Sequence, residues 1–378
     1  MRALDVTTGA ALIPDLERVL AGSGDALLPV PAGDARQSEL LRTALRAGQE
    51  IDDDVALVVA TSGTTGVPKG AMLSAAALTA SATATAARIG GPGTWLLALP
   101  AYHVAGLQVL VRSVLAGTTP VELDVTHGFD VTALPSAVAA MGTGRRYTSL
   151  VAAQLAKALA DPAATEALAS LDTVLLGGGP APAPILKAAA AASISVVKTY
   201  GSSETSGGCV YDGVPLDGVL VKIEDGRVVL GGPTLAAGYR NVPDDDPFAE
   251  PGWFRTDDAG VLQDGVLQVV GRIDEAISTG GLTILPQPVE AVLLTHPAVS
   301  DAAIFGLPDD RLGQRVVAAV VPNGTAPSLE DLRVHVGQSL DPTAAPRELH
   351  VLAELPRRGI GKLDRRALAA RYGPVGRT

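Results

Sequence analysis

The sequence predicts an α/β protein: a large N-terminal domain of mainly parallel sheet, a β-rich, barrel-like module, and a small, mobile α+β domain at the C-terminus. Three observations carry that reading. Short apolar runs alternate with helical stretches from residue 55 to about 200, Asp-Gly turns crowd the segment after 209, and the texture changes again after Asp274. At 378 residues the chain has room for two or three domains and a cleft between them.

Taken in order, "LIPDLERVLAG" and "SELLRTALRAG" each end in Ala-Gly and predict two N-terminal helices. "VALVVATSG" predicts a strand, and "SAAALTASATATAARIG" a small-residue helix with Ser74 as N-cap, which sets the intervening loop between a strand and a helix. The alternation continues with "TWLLALP", "GLQVLVRSVLAG", "RYTSL", "AAQLAKALA", "LDTVLLGGG", "PAPILKAAAAAS" and "SVVKTYG". Such a sheet is covered on both faces and binds ligands at the carboxyl ends of its strands, where the glycines gather. Hairpins follow over about 209–273, and residues 274–378 form the small domain, with the boundary at Asp274.

Composition narrows the function. Forty acidic against 29 basic residues give a net charge of -11, which argues against nucleic acid or an anionic membrane surface as partner. A lone cysteine, Cys209, excludes an intrachain disulfide or a cysteine zinc cluster and fits a reducing cytoplasm. The N-terminus lacks a basic region followed by an apolar core, and no apolar stretch approaches the roughly 20 residues of a membrane span.

Chemistry begins at "TSGTTGVPKG". Gly63, Gly66 and Gly70 let the backbone turn and expose amide donors, Thr61, Ser62, Thr64 and Thr65 add hydroxyls, and Lys69 adds a charge, a set suited to a triphosphate. The loop is not of the GKS/T type, because Val67 and Pro68 separate glycine from lysine. It resembles the phosphate loop of the adenylate-forming superfamily, which contains acyl-CoA synthetases, luciferases and peptide-synthetase adenylation domains.

Five further segments resemble that superfamily in the expected order. "YGSSET" is similar to its YGxTE segment, which implies that Tyr200 stacks on adenine beside Gly201, that Ser203 contacts the α-phosphate and that Glu204 holds Mg²⁺. "LLGGGP" resembles the adenine-binding glycines, here Gly177, Gly178 and Gly179. "GWFRTDD" resembles the ribose-binding segment, with Asp258 as its aspartate and Asp257 in place of the usual glycine. "GRIDEAISTGGLTILPQPVE" resembles the hinge motif and implies Arg272 as the ribose and phosphate contact and Asp274 as the hinge, with Gly280 and Gly281 lining a CoA tunnel; Ser278 replaces the usual lysine. "PRRGIGKLDRRAL" resembles the C-terminal PxxxxGKxxR motif, whose lysine, Lys362, would bridge the acyl carboxylate and the α-phosphate. The resemblance implies AMP-forming ligation of a small carboxylic acid to CoA, with ATP and Mg²⁺, through an acyl-adenylate.

Two segments bear on the acid. "PAYHVAG" is similar to the acyl-pocket segment of CoA ligases and implies His103 at the gate. "YTSLVAAQLAKAL", containing Ser149 and Lys157, resembles a stretch of the o-succinylbenzoate-CoA ligases of menaquinone biosynthesis, and the 60 residues ahead of Thr61 match the short actinobacterial form. That substrate carries two carboxylates, so Lys157 is the expected cation for the one not activated. A ligase for another aryl or short acyl acid, and a free-standing adenylation domain loading a carrier protein, remain alternatives. A homodimer is among the assemblies the reading admits.

Overall fold

The structure is a computed structural model that describes residues 1–61, 68–241, 247–358 and 361–373. Among the described residues, the N-terminal part holds two sheets. Arg2–Val6, Leu27–Pro31 and Val55–Thr61 run parallel, and Lys69–Ser74 closes that four-stranded sheet antiparallel to Val55–Thr61. Two of these strands escape the sequence reading. "RALDV" and "LLPVP" are five residues each, too short for a periodicity to show, and they become strands because each lies against a parallel neighbour.

The second sheet has seven strands. Val121–Glu122, Thr94–Leu97, Arg146–Val151, Thr173–Gly177 and Val196–Ser202 are parallel, and Gly207–Tyr211 and Val214–Pro215 extend it antiparallel. The hairpin texture that begins near residue 209 therefore starts inside this sheet, and the separate four-stranded antiparallel sheet begins at Leu220–Glu224. One core, around Tyr147, Leu107, Leu110 and Leu175, packs beneath the helices Ala75–Ile89 and Val104–Ala116. The opposite face packs Leu150, Leu155, Leu168 and Leu176 beneath Ala152–Leu159, Pro162–Ala169 and Ala183–Ala191.

The C-terminal part is a sheet centred on the long pair Val299–Asp309 and Gly313–Pro322. Pro286–Leu293 and Leu329–Gly337 cover one face through Val289, Leu293, Leu332 and Val336. Arg365–Tyr372 covers the other through Leu368. No helix among the described residues is long and apolar enough to cross a membrane.

Candidate active site

The parallel strands deliver the candidate residues at their carboxyl ends, as an open α/β sheet dictates. His103 follows Thr94–Leu97 and stands at the N-cap of Val104–Ala116, Gly177 ends one strand and runs into Gly178 and Gly179, and Tyr200 and Gly201 end the next. Ser203 and Glu204 follow in a single 3₁₀ turn, both buried.

The Val55–Thr61 and Lys69–Ser74 strands correct the sequence reading of the phosphate loop. Thr61 pairs with Lys69 across an antiparallel ladder, so a returning strand follows, and the helix capped by the Ser74 hydroxyl begins only after it. The apolar "AML" of that strand is too short to be separated from a helix start by periodicity. Ser62, Gly63, Thr64, Thr65 and Gly66 lie outside the described residues.

Asp258 and Arg272 are cross-strand partners in the ladder between Trp253–Gln263 and Val266–Arg272. The Tyr200 hydroxyl donates to Asp258 Oδ2 at 2.7 Å, which ties together the two residues expected at adenine and at ribose. Burial pushes the Tyr200 pKa up, with the Asp258 charge adding to it. Burial also raises the Asp258 pKa, against the opposing pull of Tyr200 and Arg272. Arg272 donates to both oxygens of Asp274, at 2.8 and 2.9 Å, and also reaches Asp257 at 3.5 Å. The surplus of carboxylates holds its pKa above the ordinary arginine value, although burial acts the other way. Asp257 is held by Arg227 at 3.1 Å where the ladder to Arg227–Gly231 shifts register, and its neighbour Asp258 still pairs with Arg272 on the other side.

Tyr239, which the sequence reading passed over, joins Glu204 and Lys69, the two residues expected on the phosphate side. Its hydroxyl donates to Glu204 Oε1 at 2.6 Å, and Lys69 Nζ lies 5.1 Å from its ring centroid. Backbone bonds from Met72 to Gly238, Ala237 to Met72 and Arg240 to Gly70 strap this segment onto the hairpin's returning strand. A signal was available: the chain has only six tyrosines, and Tyr102, Tyr200 and Tyr239 all lie around this cleft.

Lys362 arrives on a short hairpin, paired with Arg358, just ahead of the helix Arg365–Tyr372. A Cβ placed on its neighbour Gly361 would lie 4.0 Å from Ala153, so this hairpin meets the N-terminal part where Ala152–Leu159 begins. The Lys362 pKa is lowered, by the loss of water around the ammonium and then by the Arg272 charge, with Glu204 and Asp258 pulling it back. Lys362 in turn adds to the burial that lowers the His103 pKa to about 4, which leaves that imidazole neutral at pH 7. Lys362, Arg272, Glu204, Asp258 and His103 thus lie within electrostatic reach of one another around Lys362.

The acyl side departs from the sequence expectation. Ser149 is buried on the sheet face of Tyr147 and Leu175, beneath Val104–Ala116. Lys157 is exposed on the last turn of Ala152–Leu159, whose inward residues are Gln154, Leu155 and Ala158. The helix carries Lys157 about 9 Å beyond the strand end that would put it near the cleft. The buried cation is instead Arg112, 7% exposed, on the helix that His103 caps. Its guanidinium lies 4.9 Å from the Trp95 ring centroid and donates to Thr85 Oγ1 at 3.5 Å, its Nε has no partner, and no carboxylate pairs with it among the described residues. Burial lowers its pKa. The signal was Gln108 and Arg112, two long polar residues four apart in a helix whose remaining residues are apolar or small.

The segment expected to serve as hinge is likewise specific. Gly280 and Gly281, at φ +59° and +80°, form the two-residue turn of a hairpin between Ile277–Thr279 and Leu282–Ile284, a turn that demands left-handed residues. Gln287 accepts from the Arg272 backbone amide at 3.2 Å and donates to Glu275 at 2.6 Å. Arg365 then bridges Glu275 at 2.8 Å and the buried Glu290 at 2.7 Å.

Residues 18–240 match the AMP-binding enzyme family, and residues 288–362 match the AMP-binding enzyme C-terminal domain. The chain belongs to the AMP-binding enzyme family. Within it, the chain is 68% identical over 381 residues to the "Probable 2-succinylbenzoate-CoA ligase" of Mycobacterium tuberculosis, covering 98% of both. It is 34% identical to the 2-succinylbenzoate-CoA ligase of Bacillus cereus, over 84% of this chain and 70% of that one. Among solved structures it resembles the Bacillus subtilis o-succinylbenzoate CoA synthetase in complex with its acyl-adenylate intermediate, at TM-score 0.74 and 29% identity, covering 96% of this chain and 81% of that one. An amide bond synthetase from Marinactinospora thermotolerans matches at TM-score 0.79 and 25% identity, over 96% of this chain and 83% of that one.

Proposed function

We propose that this AMP-binding enzyme is an ATP-dependent, AMP-forming ligase that joins 2-succinylbenzoate to CoA through an acyl-adenylate. The observation that carries the choice of acid is Arg112: a buried guanidinium without a carboxylate partner is costly, and a substrate with a second carboxylate removes that cost. The names of the mycobacterial and Bacillus relatives support the same acid.

A carboxylate is a poor electrophile, so one carboxylate oxygen first attacks the α-phosphorus of ATP and the bond to pyrophosphate breaks. Negative charge grows on the phosphate oxygens, and Lys362 meets it from one side while Lys69 meets the departing pyrophosphate from the other. Tyr200 stacks on adenine beside Gly177 to Gly179 and Gly201, Ser203 donates to the α-phosphate, and Asp258 exchanges its Tyr200 hydrogen bond for the ribose hydroxyls. For Mg²⁺ the residues fit: Glu204 is a buried carboxylate and no group of three acidic, histidine or cysteine side chains stands among the described residues, so most ligands would be phosphate and water, as this ion prefers. When bound, that ion neutralises phosphate charge. Neutral His103 walls the acyl side without repelling Lys362.

In the second half-reaction the thiol sulfur of CoA bonds to the acyl carbon and AMP leaves. The segment from Asp274 onward rotates, withdrawing Lys362 and turning the Thr279 to Gly281 hairpin towards the thiol. The supply of ATP and CoA and the buried thiol of Cys209 suit the cytoplasm. The test is a panel of acids with ATP, Mg²⁺ and CoA. Thioester and AMP should form with 2-succinylbenzoate; turnover of benzoate or fatty acids with none of 2-succinylbenzoate would refute the assignment.

A further inference from the structure

Val104, Gln108 and Arg112 lie four residues apart along one face of the helix that His103 caps, each about 6 Å beyond the last. Gln108 is 1% exposed, yet neither its Nε2 nor its Oε1 has a hydrogen-bond partner. The wall opposite is Gly207: a Cβ there would come within 3.2 Å of Gln108 Cγ and 3.9 Å of Val104 Cγ2, and its φ of +93° also favours glycine. Gly207 pairs in the sheet with Ser202, whose hydroxyl is buried and equally without a partner. Three side chains with buried polar atoms lacking partners, Ser202, Gln108 and Arg112, therefore follow one another away from the residues proposed to hold the nucleotide. Each unmet group is costly, a burden that a ligand of matching polarity lifts.

The order of these groups matches the order of polar groups in the proposed acid. 2-Succinylbenzoate carries the chain carboxylate, then a ketone beside the ring, then the ring carboxylate. Arg112 suits the far carboxylate because it is charged; Gln108, one turn nearer the mouth, is neutral and suits a neutral acceptor. We propose that Gln108 is a specificity-determining residue whose Nε2 donates to the ketone oxygen of the acid, with the Ser202 hydroxyl as a second donor beside it. This rests on 2-succinylbenzoate being the substrate. A site built to hydrogen-bond a substrate group rejects the analogue lacking it much more strongly than an apolar pocket rejects a lost methylene.

The experiment compares kcat/KM for three acids: 2-succinylbenzoate, its deoxo analogue with CH₂ in place of the ketone, and 4-oxo-4-phenylbutanoate, which lacks the ring carboxylate. Wild-type enzyme should favour 2-succinylbenzoate over the deoxo acid by about ten- to a hundredfold. Gln108→Met and Gln108→Leu should erase most of that ratio and keep the preference for the ring carboxylate. No turnover of 2-succinylbenzoate by the wild type refutes the assigned substrate itself. Comparable wild-type turnover of the keto and deoxo acids overturns the role of Gln108 while leaving the substrate standing, and needs no variant to fold. Equal losses with both acids in Gln108→Met make the residue structural and also overturn it.

Discussion

The Tyr239 hydroxyl holds Glu204 Oε1 at 2.6 Å while its ring lies 5.1 Å from Lys69 Nζ, so one side chain fixes both the candidate metal ligand and the phosphate-loop lysine. Tyr239→Phe keeps the ring and removes only the donor. A hydrogen bond to a charged group is worth about 1.5–3 kcal/mol, so Glu204 should lose its fixed orientation. ATP-pyrophosphate exchange in the variant should need several times more Mg²⁺ for half-maximal rate, with Lys69 still held by the ring. Superimposable Mg²⁺ titrations of variant and wild type would separate Tyr239 from the metal.

The charges of Arg272, Glu204 and Asp258 all act on Lys362, and in the proposed function that arrangement serves adenylation. Lys362→Ala should lower acid-dependent ATP-pyrophosphate exchange by about a hundredfold or more. Thioester formation from supplied acyl-adenylate and CoA should change far less, because the rotated small domain no longer needs that ammonium. The lowered Lys362 pKa has a second consequence: the protonated form is lost before an ordinary lysine would lose it, so the alkaline limb of adenylation should lie below 10.5 and vanish in the variant. Equal losses in both half-reactions would refute this division.

Arg365 connects the Lys362 segment to the residues just past the hinge, through Glu275 and Glu290. Glu290 is 6% exposed, and its Oε1 also accepts from the Ile304 amide at 2.8 Å. Arg365→Met strands that carboxylate and should destabilise the small domain by about 3–5 kcal/mol. Adding Glu290→Gln keeps the acceptor for Ile304, removes the charge and should recover most of the loss in a thermal melt. A double variant as unstable as the single one would show that the arginine acts through packing instead.

His103 gives a pH-dependent term whose sign follows from its direction. Its pKa falls from 6.5 to about 4 on folding, so within that window the unfolded chain binds the proton that the folded chain refuses. Stability should therefore rise with pH across the window and be level above it. In His103→Gln the difference in Tm between pH 5 and pH 7 should shrink by about a few degrees. An unchanged difference would assign the slope to other groups.

What could be read from the sequence divides along physical lines. Strands and helices from 94 to 202 were legible because a parallel sheet buried on both faces writes apolar runs, and Ser74 was legible because a hydroxyl before a helix has one common use. Leu27–Pro31 was not, since its five residues owe their conformation to neighbours elsewhere in the chain. Asp258 and Arg272 were named separately, and only the strand register shows that they face each other. Lys157 was named because it lies inside a family-like segment, and Arg112 was not, since the burial that gives it meaning is a property of the packed helix.

Arg112 leads to the last prediction. In the absence of acid its burial is poorly compensated, with one long bond to Thr85, the Trp95 ring and an unmet Nε. Replacing such a charge by an apolar side chain of similar length is often neutral or stabilising, so Arg112→Met should melt at or above the wild-type temperature when no acid is present. With 2-succinylbenzoate and ATP the order should reverse, because the wild type gains a charge-assisted pair that the variant cannot form, and kcat/KM for the diacid should drop by about a hundredfold. For 4-oxo-4-phenylbutanoate, which brings no second carboxylate, variant and wild type should turn over alike. A variant that melts well below the wild type without acid, and loses activity equally on both acids, would make Arg112 a structural residue and remove the strongest ground for a dicarboxylate substrate.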